Sequence, residues 1–185
     1  MYSIGSVKEN PDTEKRISIT PETIKKFVSL KFSVFLEKNY GDNLGISNET
    51  FQKEGAVLLN STEEVFKKSN LILKVNCPIE QEINLIKDNS ILIGQFDPVL
   101  NSNSIKELIK KKIIVFSLNL LPRITRAQSM DVLSSQANLA GYRAVIESVD
   151  EFEKAVPMMM TAAGTIAPAK VLIIGAGVAG LQAIA

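Results

Sequence analysis

The chain has 185 residues, 45% hydrophobic and 22% charged, enough apolar material for a globular core. Its net charge of +1 and the lack of a basic patch interleaved with aromatics exclude a dedicated nucleic-acid binder. With no His and only Cys77 there is no disulfide framework, zinc and iron sites are not expected, and the commonest general acid–base group is missing.

The opening Met1-Tyr-Ser-Ile-Gly-Ser-Val-Lys8 is no signal peptide, and no apolar run is long enough to span a bilayer, so a cytoplasmic location is expected. Residues 2–7 read as a first strand and 9–15, with Pro11, as a loop. Thr20-Pro21-Glu22-Thr23 is a helix start, with Thr20 as cap and Pro21 at the first helical position; Ile24, Phe27, Val28 and Leu30 supply its apolar stripe. Residues 32–36 form a second strand, followed by the turn residues Tyr40-Gly41-Asp42-Asn43. A short helix opens at Ser47 and closes at Gly55, and 56–59 is a third strand. Ser61 with Glu64 three residues on resembles a capping box, for a helix ending near Asn70.

Residues 71–75 form a fourth strand. The spacing then predicts a helix over 78–87 with Ile79, Ile83 and Ile86 on one face, a fifth strand over 90–96, a helix over 104–112 and a sixth strand over 113–117. Lys110-Lys111-Lys112 reads as a solvated helix end and Cys77 as a small, semi-buried residue. Strands alternating with helices predict a parallel α/β sheet with right-handed crossovers. Residues 129–154 then read as one long helix, with Ser129 as a possible cap, Gly141 tolerated inside it, and Leu133, Ala137, Ala140, Ala144 and Ile146 as a small-residue face. Met158, Met159 and Met160 are expected as flexible core filler.

Two stretches carry chemistry. Arg123, Arg126, Gln128, Asp131, Ser134 and Gln136 crowd one segment after the carboxyl end of a parallel strand, where open α/β sheets place ligands. A polar loop running into a helix cap is the alternative reading of the same residues. Further on, Val171-Leu-Ile-Ile174 reads as a buried strand, and Gly175, Gly177 and Gly180 give Gly-x-Gly-x-x-Gly before an apolar helix starting at Val178. Gly175 would allow the tight turn, Gly177 the approach of a pyrophosphate, and Gly180 close packing of helix on strand. The helix N-terminus, with the Val178 N–H among its free donors, would face the phosphates. An acidic ribose contact is due about 20 residues further on, past Ala185, so the fingerprint is expected to open a domain the chain does not complete.

Arg126-Ala-Gln-Ser-Met-Asp-Val-Leu-Ser-Ser-Gln-Ala-Asn-Leu-Ala-Gly-Tyr-Arg-Ala-Val-Ile146 resembles the characteristic block of proton-translocating NAD(P) transhydrogenases, in the NAD(H)-binding domain of the alpha subunit. Residues 158–164 and 169–185 continue the likeness in the same order, and Glu14-Lys-Arg-Ile-Ser-Ile-Thr-Pro-Glu-Thr23 is similar to the opening shared by transhydrogenases and alanine dehydrogenases. The likeness implies an α/β architecture: a Rossmann-like parallel-sheet domain over 1–125, a long interdomain helix over 126–155, and the start of a Rossmann NAD(H)-binding domain over 156–185. It implies that Arg123, Asp131 and Ser134 orient the nicotinamide of NAD(H), and that Gln128 reaches toward NADP(H) on the partner. It also implies a beta subunit carrying the NADP(H) domain, membrane-spanning subunits, a homodimer, and a peripheral place on the cytoplasmic side of the inner membrane. Arg16 and Lys74 match the substrate Arg and Lys of alanine dehydrogenases, but the His of that branch has no counterpart, so both read as scaffold residues. An amino-acid dehydrogenase and an inactive fragment are the competing readings, and the chain alone is expected to show no turnover.

Overall fold

Short apolar strands alternating with capped amphipathic helices build the N-terminal two thirds of the chain, and the caps are visible one by one in a computed structural model that describes residues 2–185. β1 (Ser3–Ser6) is followed by α1 (Pro21–Ser29), where Thr20 accepts the Thr23 N–H and Pro21 fills the first turn without losing a donor. β2 (Ser33–Glu37), α2 (Asn48–Lys53) and β3 (Ala56–Leu59) come next. α3 (Thr62–Lys68) is capped by Ser61, which accepts the Glu64 N–H at 3.2 Å; Glu64 reaches back to the N–H of Asn60, one residue before the cap. β4 (Leu71–Leu73), α4 (Glu80–Leu85), β5 (Ile91–Gly94), α5 (Ser102–Lys110) and β6 (Ile114–Ser117) complete the series.

All six strands are parallel, in the order β3-β2-β1-β4-β5-β6. This is the doubly wound order of dinucleotide-binding sheets, with the direction of winding reversing between β1 and β4. Along β2, Val34 and Leu36 join one core cluster with Ile24 and Phe51, while Phe35 packs on the other, with Phe66, Leu92 and Leu108. Alternate residues thus feed two apolar layers, as a sheet covered on both faces requires. The buried Tyr40 ties the loop after β1 in place: its hydroxyl accepts the N–H groups of Ser18 and Ile19 and bonds Ser6 Oγ at 2.8 Å.

Three local expectations change. Ile79, assigned to the inner face of α4, is exposed, and Ile83 and Ile86 carry that face. Lys111 is not simply solvated, because its ammonium donates to the last-turn carbonyls of Ile83 and Asn84 in α4. That placement suits a cation at a helix C-terminus. Val28 and Leu30 are exposed, so Ile24 is the residue α1 buries.

The described residues divide into two compact units, 2–121 and Pro122–Ala185. In the second, a 3-10 segment (Thr125–Met130) leads into α6 (Val132–Glu151), then β7 (Met159–Thr161), β8 (Gly164–Ile166) and α7 (Val178–Ile184). The helix is capped by Asp131, not Ser129, which lies inside the 3-10 segment. Met159 and Met160 are exposed in a two-stranded antiparallel hairpin, and Met158 beside it is exposed too, so core filling is corrected to a surface role. Val171, Leu172, Ile173 and Ile174 form no ladder with any described strand, and Ile174 is 93% exposed. The apolar run is that of a buried strand, but a strand exists only through hydrogen-bonded neighbours, and no described segment supplies them.

Candidate nucleotide-binding site

The polar segment ahead of α6 is shaped by its own hydrogen bonds. Ala127 is the buried residue of the 3-10 segment, while Arg123, Arg126 and Gln128 are exposed. Asp131 then turns the chain into α6. Its Oδ1 accepts the Ser134 N–H at 3.0 Å and its Oδ2 accepts the Ser134 hydroxyl at 2.6 Å. The Ser134 hydroxyl, then the Ser134 N–H, and the nearby Arg123 guanidinium hold the Asp131 carboxyl below the usual carboxylate range. With its one proton given to Asp131, the Ser134 hydroxyl keeps its lone pairs for an incoming N–H donor such as a carboxamide.

The glycine-rich turn lies in the same unit. Gly175 has φ +118°, a left-handed backbone that L side chains rarely adopt. A Cβ at Gly180 would stand 2.0 Å from the Gly175 carbonyl oxygen, so a side chain there would push the helix start off the turn. Gly177, the residue before α7, has ordinary extended backbone, and a Cβ there would meet nothing within 4 Å. The space beside Gly177 is therefore open, and its backbone is bare on that side. These residues fit a dinucleotide.

The two groups are linked through α6. A Cβ on Gly141 would fall 2.2 Å from the carbonyl oxygen of Ala179, so α6 and α7 cross backbone to backbone. Gly141 lies seven residues beyond Ser134, or about 10 Å along the helix at 1.5 Å per residue. Along the sequence Gly141 reads as merely tolerated. The available signal was a lone glycine in a long helix whose counterpart, Ala179-Gly180, is equally small. Of the expected site residues, Asp131 and Ser134 touch, Arg123 acts on Asp131 electrostatically, Gln128 is exposed, and Gly175, Gly177, Val178 and Gly180 form the turn and first residues of α7.

The first unit has its own charged cluster at the carboxyl ends of β1 and β4. Lys74 Nζ lies 2.7 Å from Glu82 Oε1 and 3.5 Å from Glu9 Oε2. Arg16 pairs with Glu14 at 2.7 Å, which raises the guanidinium pKa and lowers that of the carboxyl. Burial pushes the Glu9 carboxyl up despite Lys74. The loop after β1, from Val7 to Arg16, is charged and has no glycine, so it lacks the fingerprint that this strand order usually carries there. Among the described residues no group of three metal-ligating side chains could hold an ion, and no helix is long and apolar enough to cross a membrane.

The family models described as alanine dehydrogenase/PNT, N-terminal domain, and alanine dehydrogenase/PNT, C-terminal domain, match residues 5–140 and 144–185. An NAD(P) transhydrogenase alpha-subunit polypeptide of Rhodospirillum rubrum is 44% identical over 98% of this chain and 49% of its own length. A crystal structure of transhydrogenase from Sinorhizobium meliloti superposes with TM-score 0.93 at 44% identity, covering 98% of this chain and 54% of that one. An L-alanine dehydrogenase structure at 21% identity and TM-score 0.82, covering 98% of this chain and 50% of its own, shares the fold. The chain thus spans about half the length of these relatives.

Proposed function

The chain belongs to the alanine dehydrogenase/PNT family, and from that premise we propose that it is part of the NAD(H)-binding component of a proton-translocating NAD(P) transhydrogenase. One observation carries the reading: a Gly175 turn with unfilled space beside Gly177 is joined through α6 to a preset Asp131–Ser134 pair. The first grips the diphosphate end of a dinucleotide and the second its nicotinamide end. In this reading residues 1–125 form the first domain, 126–155 the interdomain helix, and 156–185 the opening of the NAD(H) domain.

NADH, when bound, supplies the hydride. Arg123 and Ser134 hold its carboxamide, and Asp131 keeps the Ser134 hydroxyl turned as an acceptor. Gln128, exposed at the edge of the segment, reaches toward NADP(H) on the beta subunit. Direct hydride transfer needs two rings in near contact and no side chain that takes up a proton, so positioning is the main contribution and a chain without His is sufficient. Coupling to proton movement belongs to membrane-spanning subunits, with this component peripheral on the cytoplasmic side. The exposed methionine hairpin offers an apolar surface for a homodimer. The chain alone turns nothing over.

The test uses the full-length subunit with its NADP(H)-binding partner. Arg123→Ala is expected to weaken NADH binding, and Gln128→Ala to leave it unchanged while slowing hydride transfer. Transfer at the wild-type rate in Gln128→Ala would remove the role given to that residue, and undiminished NADH affinity in both Arg123→Ala and Gly177→Ala would remove the site.

A further inference from the structure

Two carboxylates converge on one ammonium in the interior of the first unit. The Lys74 and Glu9 side chains are 3% and 5% exposed, and Glu82 is 18% exposed. Three separate elements meet there: Glu9 from the loop after β1, Lys74 just past β4, and Glu82 from α4. Glu9 Oε1 also accepts the Val75 N–H at 2.7 Å, so this carboxyl fastens the loop to the end of β4. The hydride-transfer reading uses none of these groups.

The surrounding charges do not balance the excess. Arg16 feels Glu9 but is paired with Glu14, and Lys8, beside Glu9 in a crevice of about 290 Å³, is paired with Glu37. Asp42 lines the same crevice and adds a further negative charge. Cys77 feels both Lys74 and Glu82, and its thiol is pushed up by burial, so it stays neutral. Two ionised carboxylates on Lys74 would leave one negative charge offset only by backbone N–H groups, that of Val75 on Glu9 and that of Ile79 on Glu82, which is costly in a low-dielectric interior.

We propose that Glu9, Lys74 and Glu82 form a proton-operated latch: with a proton on Glu9 the triad is neutral and the loop over residues 7–16 stays docked on β4, and loss of that proton to solvent releases the loop. Burial acting on Glu9 has the direction this requires. The docked state holds the proton more tightly than a solvated carboxyl does. The opening equilibrium therefore rises with pH, by up to about tenfold per unit, from the ordinary carboxylate range to the raised value of Glu9, and then levels off.

The experiment is amide hydrogen exchange on the full chain, corrected for intrinsic rate, from mildly acid to mildly alkaline pH. Val75 is the reporter and Leu92 in β5 the reference. Protection at Val75 should fall with pH while Leu92 stays flat. Glu9→Gln should abolish the dependence, and Glu82→Gln, which leaves Lys74 to Glu9 alone, should shrink it. A flat Val75 profile in the wild type, a slope surviving in Glu9→Gln, or an equal slope at Leu92 would each overturn the latch. Should Glu9→Gln fail to fold, an undiminished slope in Glu82→Gln overturns it as well.

Discussion

Gly141→Ala tests whether the helix crossing positions the glycine turn. The added methyl would lie 2.2 Å from the Ala179 oxygen and 2.9 Å from that residue's carbonyl carbon and Cα, all backbone atoms that cannot rotate aside. Restoring the oxygen from 2.2 Å to an ordinary 3.4 Å contact moves α7 off α6 by about 1.2 Å. Overpacking of this kind costs about 1–3 kcal/mol, while Ala in place of a mid-helix Gly returns about 1 kcal/mol. The net loss is at most about 2 kcal/mol, or a Tm lower by several degrees at roughly 2–4 °C per kcal/mol. Function should suffer more than stability. α7 carries the Gly175 turn through the Gly180 approach, and a displacement of about 1 Å can cost on the order of 100-fold in a positioned transfer. The assay is thermal unfolding of the full-length subunit alongside NADH titration and hydride transfer. A Tm raised by the helix-propensity gain, with unchanged NADH affinity and transfer rate, would refute the reasoning.

Four further substitutions probe the other contacts. Tyr40→Phe strands the buried N–H groups of Ser18 and Ile19 and should cost about 1–3 kcal/mol in denaturant unfolding. Ser134→Ala removes the main cause of the low Asp131 pKa, so the carboxyl resonance of Asp131 should titrate at higher pH. In the wild type the ionised cap stabilises α6 above the ordinary carboxylate range and is lost as pH falls through the depressed value, a transition that Asp131→Asn should erase. Lys74→Met removes the cation shared by Glu9 and Glu82 and should destabilise by about 3–5 kcal/mol where Glu9 is ionised, and by less at lower pH where Glu9 carries a proton. A pH-independent loss in Lys74→Met would count against a shared triad.

The strand–helix alternation, the Thr20 and Ser61 caps and the glycine fingerprint could all be read along the chain, because each depends on residues within about one turn of one another. Caps and periodicity are local chemistry, and they led to a parallel α/β sheet and to the segments around Gly175 and Asp131. The start of α6 is less legible: Ser129 reads as its cap, but a 3-10 segment runs through Ser129 to Met130, and Asp131, also a good capping residue, takes the place.

Tertiary structure alone decided what lies opposite what. Gly141 looks like a weak point in a helix until Ala179 is set against it, and Lys111 like a solvated charge until the end of α4 arrives beneath it. Met158, Met159, Met160 and Ile79 carry the composition of a core but sit on the surface, since hydrophobicity describes what a side chain can bury and not which neighbours reach it. Glu9, Lys74 and Glu82 are spread over more than 70 positions of sequence, and only the adjacency of β1 and β4 brings two carboxylates to one ammonium. Sequence by itself thus determined the alternating strands and helices of the first unit and the kind of chemistry the later segments can hold. The sheet order and helix crossings determined which groups meet, because long-range pairing leaves no periodic trace in the chain.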